Sequence, residues 1–158
     1  MKIKCNKIKT CAFTGHRELG EDFSVENLEK EIQNAIALGV KKFLSGMAQG
    51  FDLLSAECVL KEKEKNTEIK LIACVPFYKQ EKTYSDEDKE RYYDILRKAD
   101  ETVLLSEKYY RGCLHVRNKY MADRADMLIT YCKKDTGGTA WTVNYFQKKY
   151  PLFDVVFL

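Results

Sequence analysis

The sequence is short of several things that would have identified it quickly. No apolar run approaches membrane-spanning length, and the lysines near the start are followed by no continuous apolar segment, which argues against a spanning helix or a secretory leader. Neither sign of charge dominates: 27 Lys and Arg against 24 Asp and Glu leave a net +3, weaker than a dedicated nucleic-acid binder shows. There is no GxxxxGK[ST], so the chain is not a P-loop NTPase, and no GxGxxG follows the first predicted strand, which argues against an ordinary NAD oxidoreductase. The six cysteines form no CxxC pair. Cys11, Cys74 and Cys132 lie in or at the ends of apolar runs, and Cys58 falls in a helical pattern, where cysteine acts as a small hydrophobe. Cys113 and His115 supply only two ligands between them, too few for zinc. Free thiols and no metal are therefore expected, together with a cytoplasmic location.

What remains is a regular alternation without linker, repeat or low-complexity stretch, which at 158 residues predicts one domain, 1–158. Strands are expected at "KTCAFTG", "VKKFLSG", "IKLIACV", "ETVLLS", "MLITY" and "FDVVF". Between them, Ser24 caps a helix striped by Val25, Leu28, Ile32, Ala35 and Ile36 and stopped by Gly39. A second helix runs from about Asp52 to Lys65, and Ser85 with Asp88 forms a capping box for a third. A fourth spans about Leu114 to Ala125, and "TGGT" opens a fifth. Such alternation implies right-handed β-α-β units, hence an α/β, Rossmann-like doubly wound, mainly parallel sheet with helices on both faces. Ligands in such folds bind beyond the carboxyl ends of the strands, at the point where strand order reverses.

The loops at those ends hold the unusual chemistry. In "FTGHR", Thr14 and Gly15 are read as the turn after strand one, Arg17 as a bidentate phosphate clamp and His16 as a donor or acid. In "SGMAQGFD", Gly46 and Gly50 would let a ligand approach the backbone. Asp52 serves there either as the cap of the next helix or as a carboxylate for ribose hydroxyls. In "DTGGTAW", Gly137, Gly138 and Thr139 present a flexible turn at a helix N-terminus, suited to phosphate. On the fourth helix Leu114, Arg117, Asn118, Met121 and Ala125 share a face. Arg117 reads either as a salt-bridge partner of Asp123 or Asp126, or as a phosphate ligand beside Asn118. The cluster Lys2, Lys4, Lys7 and Lys9 reads as a solvated strand edge, with a phosphate-contacting arm as the alternative.

Taken in order, "FTGHR", "SGMAQGFDLLSAE", "RNKYMADRADMLI" and "GGTAWTV" resemble the YpsA-like branch of the SLOG superfamily, which also embraces the DNA-processing DprA/SMF proteins and the LOG phosphoribohydrolases. The resemblance covers essentially the whole chain and implies a nucleotide-type ligand at the carboxyl edge of the sheet. "SGMAQGFD" is similar to the SGxAxGxD segment of the DprA branch, carried here by Ser45, Gly46, Ala48, Gly50 and Asp52. "GGT" is similar to the phosphate loop of the LOG branch, carried by Gly137, Gly138 and Thr139. LOG enzymes resemble PGGxGTxxE, whereas this chain lacks the proline and has Thr142 at the glutamate's place.

The expectation is therefore a sensor or regulatory module that binds a nucleoside monophosphate, an ADP-ribose-like ligand or a dinucleotide, with no further cofactor implied. An alternative is N-glycosidic cleavage in the LOG manner, with Asp52 or His16 as the catalytic group. A third is single-stranded nucleic-acid binding through Tyr109, Tyr110 and the lysines, as in DprA-like proteins. Asp52 is expected to lose basicity as a helix cap, and His16 to resist protonation beside Arg17. A homo-oligomer remains open, and no membrane partner is expected.

Overall fold

In the computed structural model, which describes residues 8–158, apolar residues alternate along each inner strand, and that alternation divides the core in two. The elements in chain order are β1 (Thr10–Gly15), α1 (Val25–Ala37), β2 (Lys42–Ser45), α2 (Phe51–Lys65), β3 (Lys70–Val75), α3 (Asp86–Lys98), β4 (Glu101–Leu104), α4 (Cys113–Arg124), β5 (Met127–Tyr131), α5 (Gly138–Lys149) and β6 (Asp154–Phe157). A 3-10 turn, Gln80–Thr83, precedes α3. Side chains along a strand point to opposite faces with period two. Cys11 and Phe13 of β1, Phe43 of β2, Leu71 and Ala73 of β3 and Ile129 of β5 thus enter one cluster, with Leu28 and Ile32 of α1 and Phe51 and Leu53 of α2. Ala12, Leu44, Cys74 and Leu128 enter the other, with Met121 and Ala122 of α4 and Phe146 of α5.

All six strands are parallel, in the order β4-β3-β2-β1-β5-β6. The chain winds outward from β1 to β4, then returns to pair β5 with the other side of β1. That reversal puts the switch point between β1 and β5, directly beyond Gly15 and Tyr131, which are in register.

Helix starts follow their caps. Ser24 accepts from the Asn27 N–H at 3.2 Å and Ser85 from the Asp88 N–H at 3.2 Å. The "FDVVF" segment adds β6 in parallel to β5 as the sheet's far edge. Lys2, Lys4, Lys7 and Cys5 lie outside the described residues; Lys9 is exposed just before β1. Cys11, Cys58, Cys74 and Cys113 are free and buried, and Cys132 is free and half-buried. Among the described residues no helix is long and apolar enough to cross a membrane.

Candidate functional site at the switch point

Three strand ends and one helix converge beyond the carboxyl edge around a cleft of about 310 Å3. Thr14, Gly15, His16 and Arg17 line it from the end of β1, Ala48 and Asp52 from the β2–α2 connection, Arg117 and Asn118 from α4, and Gly138 and Thr139 from the start of α5. Phe13, Leu114 and Met121 supply its apolar wall. The shared face of α4 thus brings Leu114, Arg117, Asn118 and Met121 to the site as their spacing implied; Ala125 packs in the core instead.

Four of the expected ligand residues do not line the cleft, and each has a structural reason. Ser45 is buried, donating to the Asp52 carbonyl at 3.0 Å and accepting from the Met47 N–H at 3.2 Å. Gly46 leaves room for Arg117, since a Cβ there would stand 2.6 Å from the guanidinium. Gly50 has φ +76, and a Cβ would fall 2.0 Å from the Arg17 carbonyl oxygen. Both glycines therefore admit neighbouring protein, not a ligand. Gly137, at φ +96, is the cap residue that lets the chain enter α5. Thr14 and Gly15 end β1 instead of forming the turn expected after it. Gly15 is needed there for packing, as a Cβ would meet the Phe51 ring at 2.3 Å.

Asp52 is not the cap of α2. Gly50 occupies that position without a side-chain bond, and Asp52 is the second helical residue, its carboxylate folded back to accept from the Ala48 N–H at 3.3 Å. Nor is its basicity lowered. Burial pushes its pKa up to about 6, against the opposing pull of Arg117, the Ala48 N–H and Arg17.

Arg117 is 5% exposed and reaches neither Asp123 nor Asp126. Its Nη1 donates to the Gly46 carbonyl and its Nε to Asn118 Oδ1 at 2.9 Å. Asp123 instead accepts from Lys119, Tyr145, Lys149 and Tyr150, and Asp126 from the backbone of Lys9 and Thr10. Arg17 is exposed and makes no salt bridge among the described residues.

His16 accepts the Lys133 N–H at Nε2, 2.8 Å away. Burial and then the charge of Lys134 lower its pKa; Arg17 is not the cause. The ring is neutral in this arrangement, with its proton on Nδ1.

Other residues reach the site indirectly. Gln80 donates to the Gly46 carbonyl at 3.0 Å, Tyr84 to the Met47 carbonyl at 2.9 Å, and Gln49 to Asp88 at 2.9 Å, pinning the loop before α2. Met47 holds that loop at φ +62, a conformation rare for a side-chain-bearing residue. No local motif marked Gln80 or Tyr84, because the loop they brace lies more than thirty residues earlier in the chain.

Fold and site together define a Rossmann-like domain with a cationic cleft at its topological switch point. The chain belongs to the YspA SLOG family, whose model matches residues 14–153. It is 26% identical to the UPF0398 protein YpsA of Bacillus subtilis, with 92% of this chain and 91% of that protein covered. It is 29% identical to a UPF0398 protein of Halalkalibacterium halodurans, covering 78% of this chain and 67% of the relative. Among solved structures it is similar to DNA processing protein A (DprA) from Streptococcus pneumoniae, with TM-score 0.66 and 19% identity over 96% of this chain. DprA from Helicobacter pylori, described for its single-stranded DNA binding mode, gives TM-score 0.67 and 17% identity over 94% of this chain. The chain spans 50% and 65% of those two proteins, and at such identities the likeness establishes the fold.

Proposed function

We propose that the cleft binds a nucleotide-type small molecule, its phosphate between Arg17, Arg117 and the start of α5, and that the chain acts as a sensor or regulatory module. The observation that carries this reading is Arg117, a buried guanidinium with no carboxylate within salt-bridge distance among the described residues. Asp52 reaches Arg117 only as a charge beyond ion-pair distance, so a phosphate seated in the cleft offsets the cost of the buried cation with charge-assisted hydrogen bonds. The backbone N–H groups opening α5 and the Thr139 hydroxyl add further donors to the cleft lining.

The test is a thermal-shift and calorimetric screen over nucleoside monophosphates, ADP-ribose and dinucleotides. Arg17→Ala and Gly138→Val are each expected to weaken the best binder about tenfold or more while leaving the fold intact. Unchanged titration curves for both variants would move the ligand elsewhere.

One observation favours a second reading, N-glycosidic cleavage: a carboxyl with its pKa near 6 suits proton transfer close to neutrality. The remaining parts argue for binding alone. Asp52 is the single carboxylate lining the cleft, whereas glycoside hydrolysis generally uses two. Thr142, in the place of the missing glutamate, is 3% exposed and donates back to the Gly138 carbonyl at 2.7 Å. His16 is occupied as an acceptor. Chromatography after hours of incubation with nucleoside monophosphates is expected to show no free base. Steady base release, abolished by Asp52→Asn, would make this an enzyme.

A further inference from the structure

Beside the cleft lies a second hollow of about 220 Å3, and the two share Leu114, Asn118 and Gly138 as a common wall. The cleft proper is rich in cations and polar groups. The annex has a different character, with Tyr109 and His115 standing at its sides. Tyr109 is 66% exposed, yet its ring is braced edge-to-face against Phe77 at 5.2 Å between centroids. His115 is also exposed and is braced the same way by Trp141 at 4.8 Å, with Trp141 stacked in turn on Tyr145 at 5.1 Å. Aromatic rings held in place at the surface lose little freedom when a planar group stacks on them, so they make good partners for one.

The neck between the two hollows carries a directional donor. Asn118 commits its Oδ1 to Arg117 Nε, which turns its Nδ2 toward Gly138. That Nδ2 has no acceptor among the described residues, and a Cβ on Gly138 would stand 3.6 Å from it. A ligand running from cleft to annex must therefore pass a fixed N–H donor with its anionic end on one side and aromatic surface on the other.

We infer that the annex is a nucleobase subsite: the ligand is a nucleoside 5′-monophosphate whose base stacks on Tyr109 and His115 while its phosphate lies in the cleft. This rests on the reading of the cleft as a phosphate site and assigns its specificity. Sugar phosphates fill only the cleft. Asn118 bridges the two hollows, holding Arg117 with one amide atom and meeting a sugar or base acceptor with the other.

The experiment compares ribose 5-phosphate with AMP, GMP, CMP and UMP by calorimetry and by the fluorescence of Trp141, the chain's single tryptophan. At least one nucleotide is expected to bind about fivefold or more tighter than ribose 5-phosphate, the range that stacking of one base supplies. That nucleotide should also perturb Trp141 emission through His115, whereas ribose 5-phosphate should not. Tyr109→Ala and His115→Ala alter exposed side chains, so the fold survives both. Each should bring the nucleotide down toward the affinity of ribose 5-phosphate, whose own binding changes less than about twofold. If no nucleotide outbinds ribose 5-phosphate, or if its advantage persists in both variants, the base subsite is overturned while the phosphate cleft stands. If neither ribose 5-phosphate nor any nucleotide binds, the cleft reading fails and the subsite with it.

Discussion

Asp52 shows how a single side chain can couple the candidate site to stability. Burial raises its carboxyl to about 6, against a reference near 3.9 in the unfolded chain. The folded state thus holds the proton more tightly. Below about pH 4 both states are protonated and the contribution of Asp52 is fully present. Between about pH 4 and 6 the unfolded chain releases its proton first, so stability falls, and above about 6 the loss is complete. Denaturant titrations of the native protein and Asp52→Asn should therefore diverge across this window. The native protein is expected to lose about 2–3 kcal/mol relative to the variant between pH 4 and 7. A difference constant with pH would mean that the carboxyl titrates normally and is solvated. At this scale the sequence points to a residue that does line the cleft, but not to its raised proton affinity, because the burial that sets it comes from elements far along the chain.

Among the elements, α3 stabilises the loop before α2 without touching the cleft. Ser85 caps it, and Asp88 in its first turn both accepts from Gln49 of the loop and pairs with Arg91. Arg91 also pairs with Glu57 of α2, tying the two helices. Ser85→Ala is expected to cost about 1 kcal/mol in equilibrium unfolding, with an unchanged denaturant slope. A variant as stable as the native protein would show that water or the remaining first-turn groups replace the cap. The Ser85 half of the expected capping box is legible because Ser85 and Asp88 sit three apart, whereas the Asp88 carboxylate turns to Gln49 and Arg91 instead of back to the Ser85 N–H. The bracing by Gln80 and Tyr84 is not legible, since only the folded chain brings the 3-10 turn back against Gly46 and Met47.

At the scale of the whole molecule, salt dependence separates a small ligand from a strand of nucleic acid in the cleft. Tyr109 and Tyr110 are exposed, as strand binding would require. The chain's charge of +3, however, is a small reservoir for the counterion release that drives strand binding. Mononucleotide affinity is expected to change little between about 50 and 200 mM salt, whereas binding of an oligodeoxythymidylate through several phosphates would fall by orders of magnitude. Tight oligonucleotide binding with a steep salt slope would favour the strand.

The sequence by itself determined the architecture and the sheet edge at which the cleft opens. Alternating apolar runs and striped helices leave a parallel sheet wound on both faces, and that topology puts the loops after β1, β2 and β5 on one edge. These are local patterns, readable because strand and helix periods are set by the backbone. Only the tertiary structure decided what each residue there does. Gly46 and Gly50 look like ligand glycines in the chain but stand off the cleft, leaving space for Arg117 and the Arg17 backbone. Asp52 suits a cap by its place in the sequence, but the helix begins at Phe51 and buries its carboxyl within the field of Arg117. Proximity, burial and unpaired hydrogen-bond donors arise between residues distant in sequence, so spacing could propose them but only packing could assign them.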